Sequence, residues 1–92
     1  MTQNVVGGWT GFGSKIDAEA KKAFDQALEG LVGASYKPLA VATQVVAGLN
    51  YCFLCQGTLV TPGQQEFAAK VYVFKPLGGE PARVENIERV DP

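Results

Sequence analysis

Gly48 interrupts a run that otherwise reads as one long β-strand. On either side of it the chain is rich in Val, Leu, Thr, Tyr, Phe and Cys, and an unbroken strand would be expected there. Glycine tolerates positive φ and has no side chain to pack, so the run folds back at this point into a tight hairpin. The tip reads Gln44-Val45-Val46-Ala47-Gly48. Small apolar residues stand where Asn, Asp, Ser, Gly or Pro are usual. Valines at a loop apex point to a surface that something else buries.

The rest of the chain supplies one helix and a sheet. Ser14 to Val32 is predicted as one long helix. Ser14 and Asp17 resemble a capping box, and Gly30 and Gly33 end the element. Ile16, Ala20, Ala23, Phe24, Ala27, Leu28 and Leu31 recur at spacings of three and four and form one apolar stripe. Lys15, Glu19, Lys22, Asp25 and Glu29 form a solvated face, with Asp17–Lys21 and Lys21–Asp25 as i,i+4 pairs. A single stripe cannot close a core, so the helix must lie on a sheet.

Strands are predicted over 37–46, 49–60, 66–75 and 83–90, with a weaker first strand over 9–13 that carries two glycines. Pro38 is confined to the beginning of its strand. Thr61-Pro62-Gly63 and the segment Pro76 to Pro81 are turns. The last strand is more polar and belongs at an edge. The fold class is therefore α+β: a helix on a four- to five-stranded antiparallel meander. Residues 1–92 make one domain, with 1–8 as a flexible N-terminal arm. In a meander alternate turns fall at the same edge of the sheet. The arm, the tip at 44–48 and the turn at 76–81 should converge at one edge, with the 61–65 turn at the other.

Composition narrows the function. A net charge of −1 lacks the basic footprint of a nucleic-acid binder. No apolar run is long enough to span a bilayer. There is no histidine, which excludes Cys–His and Ser–His nucleophiles and histidine-bound zinc. No paired carboxylates and no phosphate-binding glycine motif are present, so neither catalysis nor a cofactor or metal is expected. Cys52 and Cys55 are three apart in a strand, on opposite faces, which disfavours a disulfide and reads as two small buried hydrophobes. The start, Met1-Thr2-Gln3-Asn4, has no basic residue and no apolar core, so it is not a signal peptide. The expectation is a cytoplasmic protein, or a secreted one if a signal had been removed.

Three stretches in order carry a resemblance. Gln44, Val46 and Gly48 match Q-x-V-x-G, the hallmark of the cystatins, reversible protein inhibitors of papain-like cysteine proteases. Val5-Val6-Gly7-Gly8 resembles the cystatin N-terminal trunk. Val73-Phe74-Lys75-Pro76-Leu77-Gly78-Gly79 resembles the second hairpin of the disulfide-free stefin branch. The resemblance implies a cystatin-like fold and a wedge that blocks the protease cleft. Gln44, Val45, Val46, Ala47 and Gly48 would enter beside the catalytic cysteine. Of the protease-binding arm Val5, Val6, Gly7 and Gly8, Val5 and Val6 would fill the non-primed pockets and Gly7 would let the backbone turn away from the nucleophile. Pro76, Leu77 and Gly78 would cover the primed side, where secreted cystatins often use tryptophan. The implied partners are cathepsin- or papain-type proteases, and a domain-swapped homodimer is expected to be accessible, as for several cystatins. Plainer readings stand beside these: Val45 and Val46 as ordinary strand residues, Val5 and Val6 as a frayed strand, Leu77 packed on its own sheet, Trp9 as core or sheet-face filling. The alternative function is a non-inhibitory protein-binding module on the same fold.

Overall fold

Asp17 sets where the helix begins. In the computed structural model, which describes residues 8–90, α1 spans Ala18–Leu28 and Asp17 is its N-cap. The Asp17 carboxylate accepts the Ala20 N–H at 2.9 Å, satisfying one of the unpaired donors of the first turn. The helix is thus 11 residues, shorter than the predicted span from Ser14 to Val32. Ser14 lies outside it, and Asp17 caps the backbone rather than serving as the first member of a charge ladder. Lys21 pairs forward instead, with Asp25 at 2.8 Å. At the other end Glu29 leaves helical geometry with ψ near 130°. Leu31, predicted for the buried stripe, is exposed, and Val32 is 87% exposed.

Four antiparallel strands follow: β1 (Ala34–Val46), β2 (Gly48–Leu59), β3 (Glu66–Lys75) and β4 (Arg83–Val90), in the spatial order of the chain. The architecture is α+β, one short helix on a four-stranded antiparallel meander. The 9–13 segment does not form a fifth strand. It touches β1 through two isolated bridges, Trp9 to Gln44 and Gly13 to Val41. Four steps on one side span only three on the other, so the ladder slips between the bridges. Gly11 and Phe12 are left exposed there. Pro38 is not at the strand's beginning but is its fifth residue, where the β1–β2 register shifts between Pro38 and Ala40. Leu39 is the extra residue of that bulge, which accommodates a residue that cannot donate to the ladder.

The core lies between α1 and one face of the sheet. Ala20, Ala23 and Phe24 meet Tyr51, Phe53, Cys55, Val71 and Val73, all buried. Phe24 meets Phe53 edge-on, with ring centroids 4.8 Å apart, and Tyr51 stacks on Phe53 at 5.6 Å. Removing the fully buried Phe53 ring would cost roughly 3–5 kcal/mol in lost burial and cavity formation. Gly57 is a second place where only glycine fits. The Phe67 ring lies where its Cβ would stand, flanked by Tyr36 edge-on at 5.9 Å and by the Arg89 guanidinium 4.0 Å from the ring centre.

Strand parity separates the two cysteines. Cys55 belongs to the core under α1, whereas Cys52 faces the other side with Ala42 and Tyr72. Both are buried and free. Among the described residues no helix is long and apolar enough to cross a membrane.

Candidate functional site

The β1–β2 turn has a single residue at its apex. Val46 pairs with Gly48, leaving Ala47 alone between the strands, so β2 begins one residue earlier than predicted. So sharp a reversal puts Gly48 at φ 122°, where a residue with a side chain is strained. The site is also crowded: a Cβ there would stand 2.6 Å from the Lys75 carbonyl oxygen and 3.0 Å from the Phe74 ring. Gly48 is buried at the base of the tip, while Val45 is 53% and Val46 38% exposed, with Ala47 exposed beside them.

Strand register brings the two predicted tips to one edge, beside the start of the described chain. Trp9 bridges to Gln44, Gln44 pairs with Asn50, Asn50 with Phe74, and Phe74 with Arg83. This row crosses the sheet just below the tip. It starts where the N-terminal segment enters and ends where the 76–81 turn returns. The Asn50 amide donates to Gln44 Oε1 at 2.8 Å, tying the two strands beneath the apex. Thr10 N–H donates to the Thr43 carbonyl at 2.8 Å, fixing the end of the arm to β1. The Arg83 guanidinium lies 4.9 Å from the Phe74 ring centre and its Nε donates to Glu85 at 2.8 Å.

The second turn projects from the same edge. Leu77 is 73% exposed, so it does not pack on its own sheet; Pro76 is half-buried and Gly78 takes φ 85°. Lys75 Nζ donates to the Glu80 carbonyl at 2.6 Å and closes the turn. Neither Gln44–Leu49 nor Pro76–Gly79 contains an ionisable side chain. The edge therefore offers two uncharged apolar tips whose burial desolvates no charge. Gly8 is the first described residue and is half-buried; Val5, Val6 and Gly7 lie outside the described residues. Trp9 is neither core nor free: it meets Tyr72 edge-on at 6.1 Å on the face away from α1. Around it are two shallow hollows of about 340 and 200 Å³.

Ionisable groups with shifted pKa values do not converge on this edge as reactive groups. Burial pushes the Cys55 thiol up to about 12, and the neighbouring Cys52 adds to the effect. Burial also raises Cys52. Both remain protonated and poorly nucleophilic at neutral pH. Among the described residues no cluster of three or more His, Cys, Asp or Glu side chains is placed to hold a metal.

The tips are legible in the sequence; their supports are not. Asn50 is legible once the hairpin is centred on Ala47, since it then falls opposite Gln44. The contact between Gly48 and Lys75 has no local signal, because it crosses from one hairpin to the next. No family model, no curated protein and no solved structure matches the chain.

Proposed function

We propose that this chain is a reversible, tight-binding protein inhibitor of papain-like cysteine proteases with a cystatin-like fold, acting by occlusion and not by catalysis. The observation that carries the reading is the β1–β2 tip. Its backbone is held by Gly48 against Lys75 while Val45, Val46 and Ala47 stand exposed, next to an exposed Leu77. Rigid apolar tips gain burial in a cleft with little ordering cost, which favours tight binding.

In this reading the tip enters the cleft beside the catalytic cysteine without offering a bond in position for cleavage. Gly8 and the arm through Val5, Val6 and Gly7 extend along the non-primed side, and Leu77 covers the primed side. The interface would be of standard size, roughly 1,600 Å² in total. Titrating active papain with the purified chain tests the proposal. Activity should fall linearly to near zero at one equivalent and return on dilution or competition. Full papain activity in the presence of a large excess would refute the inhibitor reading and leave the exposed tips to a non-inhibitory partner.

A further inference from the structure

The second turn is held by more than its own strands. Ala82, which leads into β4, is buried, and its backbone N–H donates to Gln26 Oε1 on α1 at 3.2 Å. On the other limb Lys75 Nζ reaches the Glu80 carbonyl at 2.6 Å. Lys75 also supplies the carbonyl against which Gly48 packs. Gln26, Lys75, Leu49 and Tyr51 line one groove between α1 and the ends of β2 and β3. A chain of direct contacts therefore runs from the helix through Ala82 and the 76–81 turn to Lys75, and from Lys75 to the tip at Gly48.

We propose that Gln26 is a positioning residue for the inhibitory edge. By accepting the Ala82 N–H it fixes the return limb of the 76–81 turn, and so holds Leu77 outward before any protease arrives. The inference rests on the inhibitor reading. Its physical basis is that an unanchored turn must be ordered on binding, and that ordering is subtracted from affinity. Removing the acceptor also leaves a buried N–H unpaired, which loosens the turn further.

The test uses Gln26→Met, which keeps the side chain's length and deletes the acceptor, and Gln26→Glu, which keeps an oxygen there. Amide hydrogen exchange is followed on the free protein and binding kinetics on papain. Gln26→Met should speed exchange of the Ala82 amide about tenfold, with the Phe53 and Val71 amides unchanged, and Gln26→Glu should restore protection. The dissociation rate from papain should rise roughly three- to tenfold with the association rate within twofold, since interface changes act mainly on dissociation. Wild-type exchange at Ala82 in Gln26→Met overturns the inference, as does faster exchange with an unchanged dissociation rate. If Gln26→Met fails to fold, Lys75→Met probes the same turn from its solvent-accessible limb, and a wild-type dissociation rate there counts against the proposal. A wild-type chain that leaves papain active defeats the inhibitor reading instead, and the exchange data still decide whether Gln26 fixes the turn.

Discussion

The β1–β2 and β2–β3 connections close two hairpins of the same sheet in opposite ways. The β2–β3 turn, 60–65, uses ordinary turn chemistry: Thr61-Pro62-Gly63, with the Gln64 N–H donating to the Thr61 carbonyl at 2.9 Å. A Cβ at Gly63 would meet nothing within 4 Å, and Gln64 occupies a left-handed backbone at φ 45° in an exposed loop. The β1–β2 turn has no polar turn residue, a single apex residue, and a buried glycine jammed against the next hairpin. One turn is specified by its own residues. The other is specified by the tertiary structure around it, and it leaves valines exposed. A turn that works against local preference and displays apolar side chains is shaped for something besides closing a hairpin.

The largest effect that tests this contrast comes from glycine. Gly48→Ala must strain the backbone and collide with the Lys75 carbonyl, so a destabilisation of about 2–4 kcal/mol is expected, together with loss of inhibition. Gly63→Ala, with open space around it, should stay within about 0.5 kcal/mol of wild type. Thermal or urea unfolding of both variants measures the difference. Equal destabilisation would mean that the two turns are held alike.

Next in size is a charge placed on each tip. Val46→Asp should weaken papain inhibition by more than about 100-fold while the domain stays folded, because the carboxylate would have to be desolvated without a partner. Val60→Asp, on a valine of the far turn that is more exposed than Val46 (69% against 38%), should leave inhibition unchanged. Inhibition constants and circular dichroism on the pair decide it. A folded Val46→Asp variant that inhibits normally would remove the tip from the proposed site.

Much of this arrangement was legible in the sequence, and the misses share a cause. Period-two alternation and turn residues are local, so β3 and β4 fall where predicted and the two apolar tips converge as the meander requires. The apolar periodicity runs longer than the helix because it continues through Ile16 and Leu31, while the helix bounds depend on competition for backbone donors. Asp17 takes the Ala20 N–H, and the chain leaves helical geometry at Glu29. The 9–13 segment reads as a strand but forms only two bridges, because its register slip depends on where β1 lies. The place of Pro38 inside β1 is not legible because a bulge is a property of paired strands, not of one strand. The supports of the site were invisible for the same reason: Gln26 and Ala82 are 56 residues apart in sequence.

The arm offers a smaller effect that separates binding from folding. Among the described residues the core draws on Ile16 and residues after it, and Val5 and Val6 belong to the proposed wedge. Deleting residues 1–6 should leave the melting temperature within about 2 °C of wild type. It should raise the dissociation rate from papain roughly tenfold, since related interfaces differ mostly in that rate. A large drop in melting temperature would assign Val5 and Val6 to the folded domain and away from the wedge.

The smallest effect, in population, is a change of partner at the strained turn. The β1–β2 apex reverses the chain over Ala47 alone, between β-branched Val46 and the left-handed Gly48. Opening it would relieve the tight reversal beside β-branched Val46 and let β1 and β2 run on as one strand, so that α1 and β1 of one molecule could complete the sheet of another. A minor domain-swapped dimer is therefore expected after mild heating, by exchange of identical elements at low energetic cost. The exchange must be slow, because most of the fold opens first. The β2–β3 turn is held by Pro62 and by the Gln64 N–H to Thr61 carbonyl bond, and it should stay closed. In the dimer the 44–48 hairpin no longer exists, so the tip cannot enter a cleft. Size-exclusion chromatography with papain titration of each fraction tests the idea. A sample that stays monomeric throughout, or a dimer that inhibits as well as the monomer, would show that the single-residue reversal over Ala47 is not what this turn releases.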